Sequence, residues 1–151
     1  MDGQPLVNST AASGPRPIVL DTNVVLDWLL FADRGTAALA DALQAGQVRW
    51  VACERMRDEF EHTLRRPELA RWQPDSERLL VRFDEHALMT DGPAPAPTLR
   101  CADATDQVFI DLAVQIKAAW LISHDRAVLR LRRRAALIGL RICKPAEWSR
   151  G

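Results

Sequence analysis

The hexapeptide Ile18-Val19-Leu20-Asp21-Thr22-Asn23 constrains this chain more than any other stretch. Three apolar β-formers in a row read as a short strand buried on both faces, which belongs in a parallel sheet covered by helices. Asp21 ends the run. An amphipathic segment from Val24 to Phe31 follows at once, so strand passes to helix through Thr22 and Asn23, residues with capping chemistry. A carboxylate at the carboxyl end of a buried parallel strand lies on the edge where open α/β sheets bind their ligands. A lone Asp before a helix is more commonly a cap, so Asp21 needs companions before it counts as a site.

The pattern recurs. Ala119-Trp120-Leu121-Ile122-Ser123 is a second apolar run that ends in His124-Asp125 and passes into a helical segment from Arg126. Val48 to Ala52 and Gly139 to Cys143 read as two further strands. Between them the spacing predicts helices over 36–45 (stopped by Gly46), 54–66 (ended by Pro67), 75–89 and 100–117. Strands alternating with helices imply right-handed crossovers and a parallel sheet, and neighbouring strands with tip aspartates would bring those acids together.

Two helices supply further acids. In 54–66 the apolar stripe is Met56, Phe60, Thr63 and Leu64; Glu59, three after Met56 and four before Thr63, falls on the buried side. An inward carboxylate must be paired, protonated or bound to a cation, and a partner arginine or a metal would serve equally. In 100–117 the buried face is Val108, Phe109, Leu112, Ala113 and Ile116, with Gln107, Asp111, Gln115 and Lys117 outside. Asp106 lies on the buried line at the helix start, and Asp103 one turn earlier reads as an N-cap.

Composition excludes several alternatives. The formal charge is zero, so no overall basic field marks a nucleic-acid binder, but eight Arg or Lys against one acid follow position 125. Cys53, Cys101 and Cys143 have neither disulfide-framework nor zinc spacing. No run is long enough to span a membrane, and residues 1–15, rich in Gly, Ser, Asn and Pro, read as a disordered leader rather than a signal peptide. The expectation is a cytoplasmic protein with one domain over 16–148 and a short tail at 149–151.

Asp21, Glu59, Asp106 and Asp125, with Asp103 nearby, make a hard-oxygen set without His or Cys, which suits Mg²⁺ or Mn²⁺. Such a cation relieves the repulsion among the acids and can activate water against a phosphodiester. The ordered series IVLDTN, an acid on a helix, D-A-T-D before a helix and LISHD resembles PIN-domain ribonucleases over about 16–148. The nearest branch holds toxin components of toxin–antitoxin systems (VapC-like). The resemblance implies a three-layer α/β/α sandwich around a central parallel sheet. It implies Asp21, Glu59, Asp106 and Asp125 as catalytic metal ligands, Asp103 as an outer ligand, and Thr22, Asn23 and Ser123 as polar neighbours that orient them.

The implied activity is endonucleolytic cleavage of RNA, with an antitoxin protein as partner and homodimers common in the family. The chain departs from the branch in having His124 before the last acid, read as solvent-facing, and in thinning the usual acidic run to Asp103 and Asp106. Arg126, Arg130, Arg132, Arg133 and Arg134 follow the last acid, and either hold RNA phosphates or form a solvated face whose stems cover Leu129 and Leu131. Two other readings remain at this stage: a non-catalytic PIN-like module that binds RNA or protein, and a small-molecule phosphatase. The phosphatase is weaker because Asn23 stands where a second Asp is usual.

Overall fold

A computed structural model describes residues 14–95 and 98–149. Most of the expected leader (1–15) and tail (149–151), and part of the Pro-rich loop at 91–98, lie outside the described residues. Five strands form one sheet in the order β3-β2-β1-β4-β5, every neighbouring pair parallel. They are β1 (Arg16–Leu20), β2 (Val48–Cys53), β3 (Leu88–Thr90), β4 (Trp120–Ile122) and β5 (Arg141–Cys143). The helices are α1 (Thr22–Leu29), α2 (Ala37–Gln44), α3 (Glu54–Leu64), α4 (Ser76–His86), α5 (Gln107–Gln115), α6 (Arg126–Leu129) and α7 (Arg132–Ala136).

The order explains the layers. Crossovers from β1 through β3 run one way across the sheet and those from β4 to β5 the other, so right-handed connections place their helices on opposite faces. On the first face α1 packs on α3 and α3 on α4; on the other, α5 lies against β1 and β4. This is the three-layer α/β/α arrangement with a parallel central sheet. Ile18, Val19, Leu20, Leu121 and Ile122 are buried throughout, as strands covered on both sides must be. Under α3 and α4 an aromatic cluster fills the layer: Trp50 meets Phe83 edge-on at 4.5 Å between centroids, and Phe60 lies 5.3 Å from Phe83.

Three expectations change. The helix over 75–89 stops at His86, and Leu88–Thr90 forms the edge strand β3 beside β2, with all three residues exposed. The helix over 100–117 begins as a 3₁₀ turn (Ala104–Asp106) and becomes α-helical only at Gln107. Gln107 itself, read as outward, is buried. Its amide accepts from the Cys101 N–H at 2.6 Å and donates to the Leu99 carbonyl at 2.8 Å and to Asp111 at 2.9 Å, so it clamps the loop ahead of the acids. Among the described residues no helix is long and apolar enough to cross a membrane.

Candidate metal centre

β1 and β4 are neighbours although about a hundred residues separate them, and they flank the point where the strand order reverses. That is where open α/β sheets form a crevice at their carboxyl ends. The registers Leu20↔Ile122 and Val19↔Leu121 bring the two strand tips level, and the Asp21 N–H donates to the Ile122 carbonyl at 3.1 Å. The residues after each strand therefore emerge side by side.

Asp21 caps α1, its Oδ1 accepting from the Val24 N–H at 2.9 Å, while its Oδ2 accepts from the hydroxyl of Ser123. The cap reading and the site reading are compatible, because one oxygen serves the helix and the other faces β4. The residue is buried, which pushes its carboxyl above the usual range; the hydrogen bonds from Ser123 and Val24 oppose that rise. The Ser123 oxygen also accepts from the Asp125 N–H at 2.9 Å, and Asp125 in turn caps α6 through the Ala127 N–H at 2.7 Å.

Asp103 caps the 3₁₀ turn, with Oδ1 accepting from the N–H and hydroxyl of Thr105 at 3.0 and 2.7 Å; these bonds hold its carboxyl below the usual range. Asp106 closes that turn. Its Oδ2 is buried without a hydrogen-bond partner. Burial, followed by the close approach of Asp125 and repulsion from Asp125, Asp103 and Asp21, pushes its pKa up to about 7. One oxygen from each of Asp103, Asp106 and Asp125 lies within 4.8 Å of the others. This all-oxygen donor set, with an unpartnered buried oxygen and acids that repel one another, fits a hard divalent cation.

The tight cluster thus contains Asp103, which sequence reading left at the margin as a cap. Asp21 lies outside this tight group, its oxygens accepting from the Val24 N–H and the Ser123 hydroxyl, and lines the same cleft. Glu59 differs more. It is exposed, not inward, because the side of α3 between Met56 and Thr63 borders an open cleft rather than the core. Its Oε2 lies 3.9 Å from Nη2 of Arg66.

That cleft, about 180 Å³, is lined by all five acids together with Thr22, Asn23, Thr63, Arg66, Thr105 and Phe109. Ser123 lies behind it, fully buried. Thr63 and Arg66 were not singled out as site residues; the only sequence signal was their position four and seven residues after Glu59, within the helix expected over 54–66. Arg126, Arg130, Arg132 and Arg133 are exposed and do not line the cleft, and Arg132 lies 3.5 Å from Glu147. His124 faces solvent as expected, 44% exposed, with Nε2 2.8 Å from Oδ2 of Asp27 on α1.

A family model described as PIN domain matches residues 17–127. No curated protein matches the chain. Among solved structures it is similar to VapBC2 from Rickettsia felis, determined bound to a DNA fragment from the promoter. The two share 12% identity and a TM-score of 0.56 over 83% of this chain and 96% of that one. At that identity the likeness speaks for the fold alone.

Proposed function

This chain belongs to the PIN domain family, and we propose that it is a Mg²⁺- or Mn²⁺-dependent endoribonuclease, the toxin of a toxin–antitoxin pair. The observation that carries the reading is Asp106: a carboxyl with a buried unpartnered oxygen, raised to about 7 among other acids in an open cleft. A purely structural cluster would have tied that oxygen to a donor.

In this reading Asp21, Glu59, Asp106 and Asp125 hold the cation directly or through water, and Asp103 joins them. The cation supplies charge neutralisation on the phosphodiester and lowers the pKa of the attacking water. Ser123 orients Asp21 and the Asp125 backbone, while Thr22 and Asn23 offer polar groups at the mouth of the cleft. Arg126, Arg130, Arg132 and Arg133 attract the RNA strand beyond the cleft. Cleavage leaves 3′-hydroxyl and 5′-phosphate ends. The partner is an antitoxin protein, as the VapBC2 assembly suggests by analogy, with a homodimer as the working unit and the cytoplasm as the compartment.

The test is cleavage of structured and unstructured RNAs by the full chain in Mg²⁺ or Mn²⁺, with and without chelator, beside Asp21→Asn. Cleavage abolished by chelator and by the variant, with the fold retained, supports the proposal. RNA bound but left intact in Mn²⁺ overturns it in favour of a non-catalytic module.

A further inference from the structure

We infer that Arg66 is the phosphate-binding residue of this cleft, holding an oxygen of the RNA backbone beside the acids; the inference rests on the nuclease reading above. Five carboxylates line the cleft, and Arg66 is the one cation among the described residues that do so. Apart from a cation held by the acids, it is the positive charge that a polyanionic strand entering the cleft would meet there. A planar guanidinium with five donors is also the side chain best matched to phosphate oxygens.

Its placement is defined by the backbone. α3 presents Glu59 and Thr63 to the cleft and ends at Leu64, and Arg66, extended just before Pro67, lines the same cleft. Arg66 adopts φ −66° and ψ 138°. Its N–H donates to the Thr63 carbonyl at 3.0 Å and its carbonyl accepts from the Leu69 N–H at 3.0 Å, so the root of the side chain is held from both directions.

The guanidinium, by contrast, is lightly held. Its contact with Glu59 is 3.9 Å, outside hydrogen-bond reach, between side chains 50% and 47% exposed. Neighbouring arginines are committed elsewhere: Arg65 to Glu61 at 3.1 Å, and Arg57 to Asp84 through two bonds of 2.7 and 2.9 Å. Thr63, on the same wall and only 3% exposed, adds a hydroxyl with no partner. The same wall thus carries a cation free to exchange its partner and a donor with none.

The experiment separates this inference from the nuclease reading by measuring binding as well as cleavage. A labelled single-stranded RNA is titrated with Asp21→Asn and with Asp21→Asn/Arg66→Gln over a series of salt concentrations, and is cleaved in Mn²⁺ by wild type, Arg66→Gln and Arg66→Lys. The expected result is an affinity at least about tenfold weaker for the double variant. Its log affinity against log salt should flatten by roughly 0.7, the loss of one phosphate contact on a single strand. In cleavage KM should rise, with part of the effect restored by lysine and Mn²⁺ affinity unchanged. An unaltered affinity and salt slope overturn the inference whether or not the wild type cuts, whereas an inactive wild type with the slope change intact overturns the nuclease reading alone.

Discussion

The Ser123 hydroxyl donates to Asp21 and its oxygen accepts from the Asp125 N–H at 2.9 Å, so one buried side chain joins the tip of β1 to the segment leaving β4. The β1–β4 pairing brings the two strand ends level, and this hydroxyl is the side-chain link between the two acids they carry. Groups of this kind, one step behind the ligands, typically change metal affinity or activity by about 10–100-fold.

Ser123→Ala should therefore lower RNA cleavage and Mn²⁺ affinity by roughly that factor while leaving the circular dichroism spectrum unchanged. Asp21 loses a donor in a buried position, so denaturation should show a loss of about 1–3 kcal/mol. A variant with wild-type Mn²⁺ affinity would mean that Asp21 needs no such fixing.

A second prediction concerns acidity in the metal-free protein. Asp106 titrates at about 7 when folded, against an ordinary 3.8. The folded chain then binds more protons than the unfolded one between those values, so this residue's contribution is fully present at low pH and is lost as pH rises to about 7. Because the group is partly exposed, solvent screening limits the loss to on the order of 1 kcal/mol. Wild type minus Asp106→Asn, followed by urea denaturation from pH 4 to 8, isolates it. Mn²⁺ at about 100 times its Kd should remove the decline and add about 2.7 kcal/mol at neutral pH.

Gln107→Leu keeps the apolar volume but strips the Leu99 carbonyl and the Cys101 N–H of their partners. A loss of about 2–4 kcal/mol is expected, since buried backbone groups left unpaired cost more than a net hydrogen bond contributes. Faster amide exchange at Cys101 and weaker Mn²⁺ binding should accompany it, because the clamped loop leads directly into Asp103. Exchange at wild-type rate would show that the loop is held by other contacts.

The exposed arginines beyond Asp125 should act through charge alone. Replacing Arg126, Arg130 and Arg133 by Gln should weaken RNA binding at low salt, flatten its salt dependence by up to about 0.7 per contact, and leave kcat unchanged. Arg132 is held near Glu147 and should contribute least. A variant with full low-salt affinity would assign that segment to the solvated face instead.

The strands that carry the site were legible because burial on both faces leaves an uninterrupted apolar run with an abrupt polar end, as at Leu20-Asp21 and Ile122-Ser123. β3 was not. Leu88 and Met89 continue the apolar spacing of α4, and only the pairing with β2 turns them into a strand. Helical spacing also fixed the side of α3 on which Glu59 stands, but an angle on a helix does not tell whether the space beyond is core or cleft. Gln107 was misplaced for a related reason, being buried where the spacing put it outside. A polar side chain reads as wet until its partners, here the backbone of Leu99 and Cys101, are known.

The strand order has a consequence for how the protein comes to be. During synthesis β1 and Asp21 are made about a hundred residues before β4, yet β1 must wait on one side for that strand, and until it docks no local structure brings Asp125 near. The aromatic layer of Trp50, Phe60 and Phe83 is encoded before position 120, whereas the acidic crevice needs Asp125 from beyond it. The acidic crevice is therefore completed only when the two halves of the sheet meet, because Asp125 enters it from the far side of β4.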